Sequence, residues 1–374
     1  MSIMTDLTTP LSIRAYLHKE LDALGSFEDC ALLDHPDYAN IGDHLIWLGT
    51  LFYLIEVLQT KIKYAASVTR FSAQAMEKNI SPDAPILLQG GGNMGDLWPI
   101  FQDFREKIAT QYPNRRIIIL PQTIYFKDPE NLKKAAKAFN AHPDLTLFVR
   151  DDTSYAIAQE NFHKCRILKA PDMAFHLVGM PGLNFQLPYK KNFLYHCRSD
   201  HEPFPISAMN LPNVVQSDWI SYKWVNRENI QDLKAWYWKI PGIIRLYREG
   251  WQRGLTRPSE WLARQEWQKS NPNLEKLNSV YNPSIHHKSW MYMHAGIYQL
   301  KPHRLIITNR THGHITCMIL GIPHVFAPGS YFKNEAFYKA WTHQIPFCKW
   351  VTEASQVKPA VEELLEKFPN HFSN

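Results

Sequence analysis

Between residues 30 and 176, short and continuously apolar runs alternate with helical patterns, and this alternation constrains the fold more than any other feature. Strands are predicted at residues 31–33, 86–89, 117–120, 145–149 and 165–168. Helices are predicted between them at residues 44–58, 97–111, 130–141 and 153–161. Apolar strands joined by helices are typical of a parallel sheet that is covered on both faces. In such sheets ligands bind beyond the carboxyl ends of the strands, so the residues that follow each strand are the candidate functional residues.

A second alternating region follows a stretch rich in Pro and Gly that lacks periodicity. Its strands are predicted at 192–197, 305–308 and 324–326, and its helices at 315–320, 334–341 and 355–368. The chain has 374 residues, which is enough for two domains. We therefore predict an α/β protein with two Rossmann-like lobes that face a cleft. The predicted parts are an N-terminal lobe (1–180), a linker (181–191), a C-terminal lobe (192–350) and a C-terminal helix (351–374).

The stretch 217–300 interrupts the second lobe and holds eight of the twelve Trp residues. It also carries five of the six net positive charges, and 236–251 has the pattern of a basic, aromatic helix interrupted by Pro241. We predict a helical insertion, for which three interpretations stay open. Its Trp side chains form a local core, or they lie against anionic lipid as a peripheral membrane contact, or they stack on sugar rings.

Composition limits the class of protein and its surroundings. Apolar residues make up 45% and charged residues 20%, as in soluble globular proteins. A net charge of +6 favours anionic partners, but no nucleic-acid recognition motif accompanies it, so no nucleic-acid partner is expected. Five widely spaced Cys predict free thiols in a reducing compartment. The first 24 residues lack a signal-peptide pattern, and the apolar run 45–58 is shorter than the roughly 20 residues of a spanning helix. We expect a cytoplasmic protein.

Two motifs follow strands of the first lobe. Asn40, Gly42 and Asp43 open the helix after the first strand. The next strand leads into Gly90-Gly91-Gly92-Asn93-Met94-Gly95-Asp96, which literally satisfies the dinucleotide-binding pattern G-x-G-x-x-G. The following strand ends in Leu-Pro-Gln-Thr, however, without the acid that would bind a ribose, so NAD is not expected. The glycine loop instead predicts main-chain amides, Asn93 and Asp96 close to a substrate.

The most informative motif of the second lobe is Thr308-Asn309-Arg310-Thr311-His312-Gly313-His314, where a strand passes into an apolar helix. Amides, helix dipole and Arg310 converge there, which predicts an anion site suited to phosphate or carboxylate. His312 at the same opening can exchange a proton. A metal site at His312 and His314 is not expected, because residues two apart on a helix diverge.

The ordered strand-end motifs resemble those of the polysaccharide pyruvyl transferase family. In chain order the matching blocks are Asn40-Ile41-Gly42-Asp43, Gly90-Gly91-Gly92-Asn93, Leu120-Pro121-Gln122-Thr123, Arg150-Asp151, Pro171-Asp172-Met173-Ala174-Phe175, Arg310-Thr311-His312-Gly313-His314, Gly321-Ile322-Pro323-His324 and Ser330-Tyr331-Phe332-Lys333. The resemblance implies a glycosyltransferase B-like fold and the transfer of the enolpyruvyl group of phosphoenolpyruvate to a sugar diol as a cyclic ketal. It also implies a role in exopolysaccharide and cell-envelope synthesis. The stretch 217–300 has no counterpart in this pattern.

The resemblance assigns the donor site to Arg310, Thr311, His312, Arg198 and Lys333, with Thr311 standing where the family usually has leucine. The acceptor is expected at the first lobe, and its candidate residues are Asn40, Asp43, Gly91, Gly92, Asn93 and Gln122. For catalysis we expect His312 as general acid or phosphate ligand, and Asp43 or Asp96 as base. No metal and no cofactor is expected beyond phosphoenolpyruvate as co-substrate. The acceptor saccharide is free or lipid-linked.

Two other functions remain alternatives. One is a glycosyltransferase of the same two-lobed type, similar to sialyltransferases, that uses a nucleotide-sugar donor. The other is an inactive sugar-binding module. The combination of Arg310, His312 and Lys333 argues against the second alternative, because a lectin does not need a phosphate site.

Overall fold

The computed structural model describes residues 6–183, 185, 187, 190–198, 205–219 and 258–369. In chain order its strands are β1 (Asp29–Leu33), β2 (Lys61–Ala66), β3 (Ile86–Leu88), β4 (Gly91–Gly95), β5 (Ile117–Tyr125), β6 (Leu145–Val149), β7 (Arg166–Lys169), β8 (Lys190–His196), β9 (Val214–Ser217), β10 (His303–Thr308), β11 (His324–Phe326) and β12 (Cys348–Trp350). Its helices are α1 (Pro10–Leu21), α2 (Ile41–Glu56), α3 (Ala73–Asn79), α4 (Pro99–Gln111), α5 (Pro129–Asn140), α6 (Asp152–Asn161), α7 (Ile206–Met209), α8 (Pro258–Ser270), α9 (Leu274–Asn278), α10 (Pro283–Leu300), α11 (Thr311–Leu320), α12 (Lys333–Phe337) and α13 (Val357–Lys367).

The first sheet contains β1 to β7 in the order β2-β1-β3-β5-β6-β7, with β4 also paired to β5. Every pairing in it is parallel. The chain moves from β1 to β2 on one side and then returns to place β3 on the other side of β1. Such a change of direction opens a crevice at the carboxyl edge of a parallel sheet. The loops after β1 and β3 therefore border this crevice.

The second sheet is also fully parallel and has the order β12-β11-β10-β8-β9. Its change of direction lies between β8 and β10, so the segments that begin at Cys197 and Asn309 border a second crevice. The two sheets confirm the predicted mixed α/β class with parallel, Rossmann-like lobes.

Most predicted strands lie within a residue or two of their observed positions, and β6 and β11 match fully. The sequence did not predict β2, β4, β9 and β12, and β5 continues to Tyr125 instead of ending at Leu120. This extension pairs with β4, a short strand inside the glycine loop that the sequence did not predict.

Helix α2 forms the centre of the largest apolar core, and 13 of its 16 residues are buried. Helix α10, from the predicted insertion, packs against it, and the Trp47 indole on α2 donates a hydrogen bond to His286 Nδ1 on α10 at 3.0 Å. Trp267 and Trp290 are buried and stacked, with ring centroids 4.7 Å apart. These two tryptophans therefore form core, whereas the predicted basic helix 236–251 lies outside the described residues.

In the described part of the chain, no helix is both long and apolar enough to cross a membrane.

Candidate active site

A cleft of about 640 Å³ lies where the carboxyl edges of the two sheets face each other. Side chains from both lobes line it. The first lobe contributes Tyr38, Asn40, Asp43, Gly92, Asn93, Trp98, Phe101 and Arg150, and the C-terminal part of the chain contributes Arg198, Asp218, Trp219, Asn309, Arg310, Thr311, His312, Gly329, Ser330, Tyr331, Lys333 and Asn334. The loops at both changes of strand direction thus meet at one cavity.

Arg310 is the N-cap residue of α11, and Asp218 orients its side chain. The Arg310 Nε donates to Asp218 Oδ1 at 2.9 Å, and Nη2 donates to the other carboxylate oxygen. Such a two-point contact fixes the plane of the guanidinium. Asp218 directly follows β9, so the strand end determines where Arg310 points.

Thr311 follows Arg310 and is buried. Its hydroxyl donates to Asn334 Oδ1 at 2.7 Å, and the Asn334 amide donates to the carbonyls of Asn309 and Ala327 at 2.6 and 3.0 Å. Thr311 therefore stabilises this turn through a hydrogen-bond network.

His312 connects the second lobe to the first. Its Nδ1 fills the space of the side chain that Gly42 lacks, because a Cβ on Gly42 would lie 2.2 Å from that nitrogen. Its Nε2 is buried and lies 3.6 Å from Asp172 Oδ2, without a hydrogen bond. Asp172 is fully buried. Its burial alone would raise the pKa of its carboxyl. The nearby charge of Arg150, followed by the interaction with His312, outweighs this effect and lowers the pKa to about 2.

Arg150 is a cleft residue that the sequence places in a matching block after a strand, without assigning it to the donor or acceptor site. Its Nε donates to Thr123 Oγ1 at 3.0 Å, and its Nη1 donates to Asp172 Oδ2. Its Nη2 is buried without a hydrogen-bond partner and lies beside Gly92, where a Cβ would be 2.8 Å away. A buried guanidinium nitrogen without a partner, next to a cavity, indicates an anion site. The available signal was its position directly after β6.

Lys333 opens α12 and reaches the same place from the opposite lobe. Its Nζ lies 3.6 Å from the position of a Cβ on Gly92 and 5.5 Å from the centroid of the Tyr331 ring. Desolvation, followed by the positive charge of Arg150, lowers the pKa of Lys333 to about 7, while Asp43 acts in the opposite direction.

Asp43 is held at the first-lobe wall of the cleft. Its Oδ2 accepts hydrogen bonds from the Tyr38 hydroxyl at 2.9 Å and from Asn40 Nδ2 at 2.6 Å. Asn40 also caps α2 by accepting from the Gly42 amide at 3.1 Å. The side chains of Trp98 and Phe101 continue this wall, so a carboxylate and aromatic rings share one face of the cleft.

The Asn93 side chain is held in place by a buried ion pair on the side away from the cavity. Arg105 Nη2 donates to Asn93 Oδ1 and to Asp34 Oδ2, both at 2.7 Å, and Arg105 and Asp34 are buried. This pair supports the glycine loop at the cleft.

Three predicted site residues do not line the cleft. Gln122 lies inside the extended β5, where it is fully buried and its Nε2 donates to the Gln89 carbonyl at 2.8 Å. Asp96 accepts from the amides of Lys127 and Asp128 at 2.9 and 2.8 Å, just before α5. Gly91 is buried with a φ of 139° and packs towards α2. The remaining predicted residues, Asn40, Asp43, Gly92, Asn93, Arg198, Arg310, Thr311, His312 and Lys333, lie around one cavity.

His314 points away from His312 into the core of the second lobe. Its Nδ1 lies 2.7 Å from His324 Nε2, and the ligand atoms of these two residues and Cys348 lie within 4.8 Å of one another. The other His314 nitrogen contacts Thr342 Oγ1 at 3.0 Å, and the other His324 nitrogen contacts the Ile322 carbonyl at 2.7 Å. These contacts satisfy both rings as one neutral hydrogen-bond chain, although the trio also has the ligand types of a metal site.

A family model described as polysaccharide pyruvyl transferase matches residues 40–329, which is most of the chain and includes most residues of the cleft, although Lys333 lies beyond it. The chain belongs to the polysaccharide pyruvyl transferase family. It is 29% identical to "Putative pyruvyl transferase EpsO" of Bacillus subtilis (strain 168), over 92% of this chain and 95% of that protein. It is 25% identical to "Pyruvyl transferase 1" of Schizosaccharomyces pombe, over 90% of this chain and 75% of that protein.

The fold of this chain resembles that in a crystal structure of the functionally uncharacterised protein KP1_0663 from Klebsiella pneumoniae. It has a TM-score of 0.52 and 18% identity, and the match covers 93% of this chain and all of that chain. Membership in the family supports a transferase with a polysaccharide acceptor.

Proposed function

We propose that this protein transfers the enolpyruvyl group of phosphoenolpyruvate to two hydroxyls of a saccharide, producing a cyclic pyruvate ketal and inorganic phosphate. The observation that carries the proposal is the charge of the cleft. Four cationic and two carboxylate side chains line its described part, namely Arg150, Arg198, Arg310 and Lys333 against Asp43 and Asp218. This excess matches a small donor that carries a carboxylate and a phosphate close together.

The proposed donor site lies between the two lobes. Arg150 Nη2 is already desolvated and lacks a partner, so an anionic oxygen there gains a charge-assisted hydrogen bond without displacing an existing contact. Arg310, Arg198 and the turn Thr311–His312 at the start of α11 provide the second set of donors. Two separate cationic groups suit the two anionic ends of phosphoenolpyruvate.

The proposed acceptor site is the first-lobe wall. Asp43 is oriented by Tyr38 and Asn40, so it acts as the base that removes a proton from the attacking hydroxyl. Trp98 is 53% exposed at the cleft and offers an apolar face to a sugar ring. Asn40, Gly92 and Asn93 supply polar groups for the other hydroxyls. Asp96 has no part in this proposal because its carboxylate lies away from the cleft.

Mass spectrometry of reaction products tests this function. The full-length protein is incubated with phosphoenolpyruvate and a panel of free and lipid-linked saccharides, and parallel reactions contain UDP-, GDP- or CMP-sugars instead. We expect the mass gain of a pyruvate ketal and release of phosphate only with phosphoenolpyruvate. Transfer of a sugar from a nucleotide donor, without ketal formation, would instead establish the glycosyltransferase alternative.

A further inference from the structure

Lys333 has an unusual setting for a lysine in a charged cleft. It projects from the first turn of α12 towards the glycine loop of the other lobe, beside Arg150. Among the residues that the structure describes, no carboxylate oxygen lies within the 4 Å of an ion pair with its Nζ. Lys333 lines the cavity, and the positive charges of Arg150, Arg198 and Arg310 act on its ammonium.

The reaction of the proposed function requires a proton donor that reaches a carbon atom. Protonation of the methylene carbon of phosphoenolpyruvate makes the neighbouring carbon electrophilic. His312, the other candidate acid, turns both ring nitrogens to the first lobe, since Nδ1 packs against Gly42 and the buried Nε2 faces Asp172. A proton on the buried Nε2 is directed at Asp172 and away from the open cleft, and a proton on Nδ1 lies beside the Gly42 backbone.

We propose that Lys333 is the general acid that protonates the methylene carbon of the donor, an inference that rests on the function proposed above. His312 then contributes to the donor site and to the contact between the lobes. The assignment gives Lys333 and Asp43 complementary tasks from opposite lobes, one donating a proton to carbon and the other accepting a proton from oxygen.

The proton balance of this scheme is complete. The π electrons of the donor take a proton from Lys333 Nζ, and the first acceptor hydroxyl bonds to the adjacent carbon while Asp43 takes its proton. The bond from that carbon to the phosphate oxygen then breaks, and the phosphate leaves with the electron pair and with the proton held by Asp43. The second acceptor hydroxyl closes the ketal and returns a proton to the Lys333 amine.

The charges around Lys333 suit this task. Arg150, Arg198 and Arg310 oppose its charged form and Asp43 favours it, while the Tyr331 ring lies beside it. With a pKa of about 7, the ammonium is a much stronger acid than an exposed lysine. An incoming donor with negative charge shifts this balance towards the ammonium, so donor binding itself supplies the protonated acid.

The test compares Lys333→Arg with Lys333→Ala in the full-length protein, and uses Lys339→Arg as the matched control. Lys339 is an exposed lysine that pairs with Glu335 at 2.7 Å. Arginine keeps the positive charge but does not release its proton near neutral pH. Donor affinity is measured by calorimetry, kcat and kcat/KM by phosphate release across pH 5.5–9, and folding by thermal unfolding.

We expect Lys333→Arg to keep its donor affinity while kcat falls by about 100-fold or more, which is the usual contribution of general acid catalysis. The wild-type kcat/KM for phosphoenolpyruvate, which reports the free enzyme, should decline as pH rises through the pKa of the lysine, and this decline should disappear in Lys333→Arg. Methylammonium should restore part of the activity of Lys333→Ala, because it returns an ammonium acid to the vacated space.

Two other results separate the inference from the proposed function. Ketal formation by the wild type together with an unaltered kcat and pH profile in Lys333→Arg would refute the role of Lys333 and leave the function intact. An inability of the wild type to form ketal from phosphoenolpyruvate with any acceptor would refute both.

Discussion

His312 Nε2 and Asp172 Oδ2 lie 3.6 Å apart, although the two residues belong to different lobes. The same carboxylate oxygen accepts from Arg150 Nη1, so a single buried carboxylate organises both a cleft arginine and the histidine of the anion site. This relationship couples the first lobe to the proposed donor site of the second.

Asp172→Asn should therefore impair both stability and activity. The amide keeps the volume but removes the charge opposite the buried Arg150, and loss of one partner of a buried ion pair costs about 3–5 kcal/mol of unfolding free energy. Urea unfolding and donor affinity measure the two effects. Asp152→Asn is the control, since its carboxylate is 69% exposed and pairs with partly exposed Lys169, and it should change neither quantity appreciably.

Gly42→Ala should displace His312. The new methyl group would lie 2.2 Å from His312 Nδ1, a clash that requires the imidazole or the lobes to move. We expect a cost of about 1–3 kcal/mol in stability and a marked fall in kcat. In contrast, Gly25→Ala adds a methyl group with no atom within 4 Å at a φ of 67°, so it should strain the backbone without loss of activity. Equal kcat in both variants would contradict a role for the Gly42–His312 contact.

Arg310→Ala should weaken donor binding by about 10- to 100-fold, the loss expected for charge-assisted hydrogen bonds. The fold should remain intact because the Arg310 side chain is partly exposed at the cleft. Calorimetry with phosphoenolpyruvate measures the affinity. Arg70→Ala, at an exposed arginine outside the cleft, should bind as the wild type does. A donor affinity unchanged by Arg310→Ala would remove Arg310 from the donor site.

Trp98→Ala should raise the KM for the acceptor by up to about tenfold while donor affinity stays the same, because the exposed ring lies on the acceptor wall. Tyr155→Ala removes another exposed aromatic ring outside the cleft and should leave both constants unchanged. Steady-state kinetics with each substrate varied in turn distinguishes the two sites. A rise in the donor constant alone would place the donor against Trp98.

The folded protein should lose stability as pH falls below about 6.5. Desolvation lowers the pKa of buried His35, His44, His196 and His314 well below the ordinary value, and that of His18 to about 4. The unfolded chain therefore binds protons at a higher pH than the folded chain. The stability these groups contribute is complete above pH 6.5 and declines towards pH 4, by up to about 1.4 kcal/mol per pH unit for each proton taken up. Urea unfolding at pH 7.5, 6 and 5 measures the slope, and a flat profile would contradict the burial of these rings as neutral groups.

The positions of the chemistry-bearing segments were predictable because parallel sheets place ligands at strand ends. Asn40 and Asp43 follow β1, Arg310 follows β10, and Asn93 lies in β4 directly after β3; all four line the cleft, as the alternation of strands and helices predicts. The continuously apolar strands indicate a parallel sheet that is buried on both faces, and this sheet type predicts where the ligand site lies.

The directions of individual side chains were not predictable from the same pattern. Gln122 was expected after a strand, but β5 continues through it, so its side chain lies within the sheet. Pairing with β4 sets that extension, and the pairing is a tertiary contact that no local periodicity reports. The roles of Arg150 and Asp172 likewise depend on their mutual contact, which joins the ends of two different strands and cannot be read from either segment alone.

The packing of α10 on α2 has a practical consequence for dissecting this protein. Helix α2 belongs to the first sheet's segment of the chain, yet it is covered by a helix that follows it by more than 200 positions. A fragment that stops at the predicted linker would leave one flank of α2 bare and prone to aggregation. Truncation studies should therefore keep both halves together, and any attempt to produce the acceptor wall alone should retain residues 283–300 as a covalently attached partner.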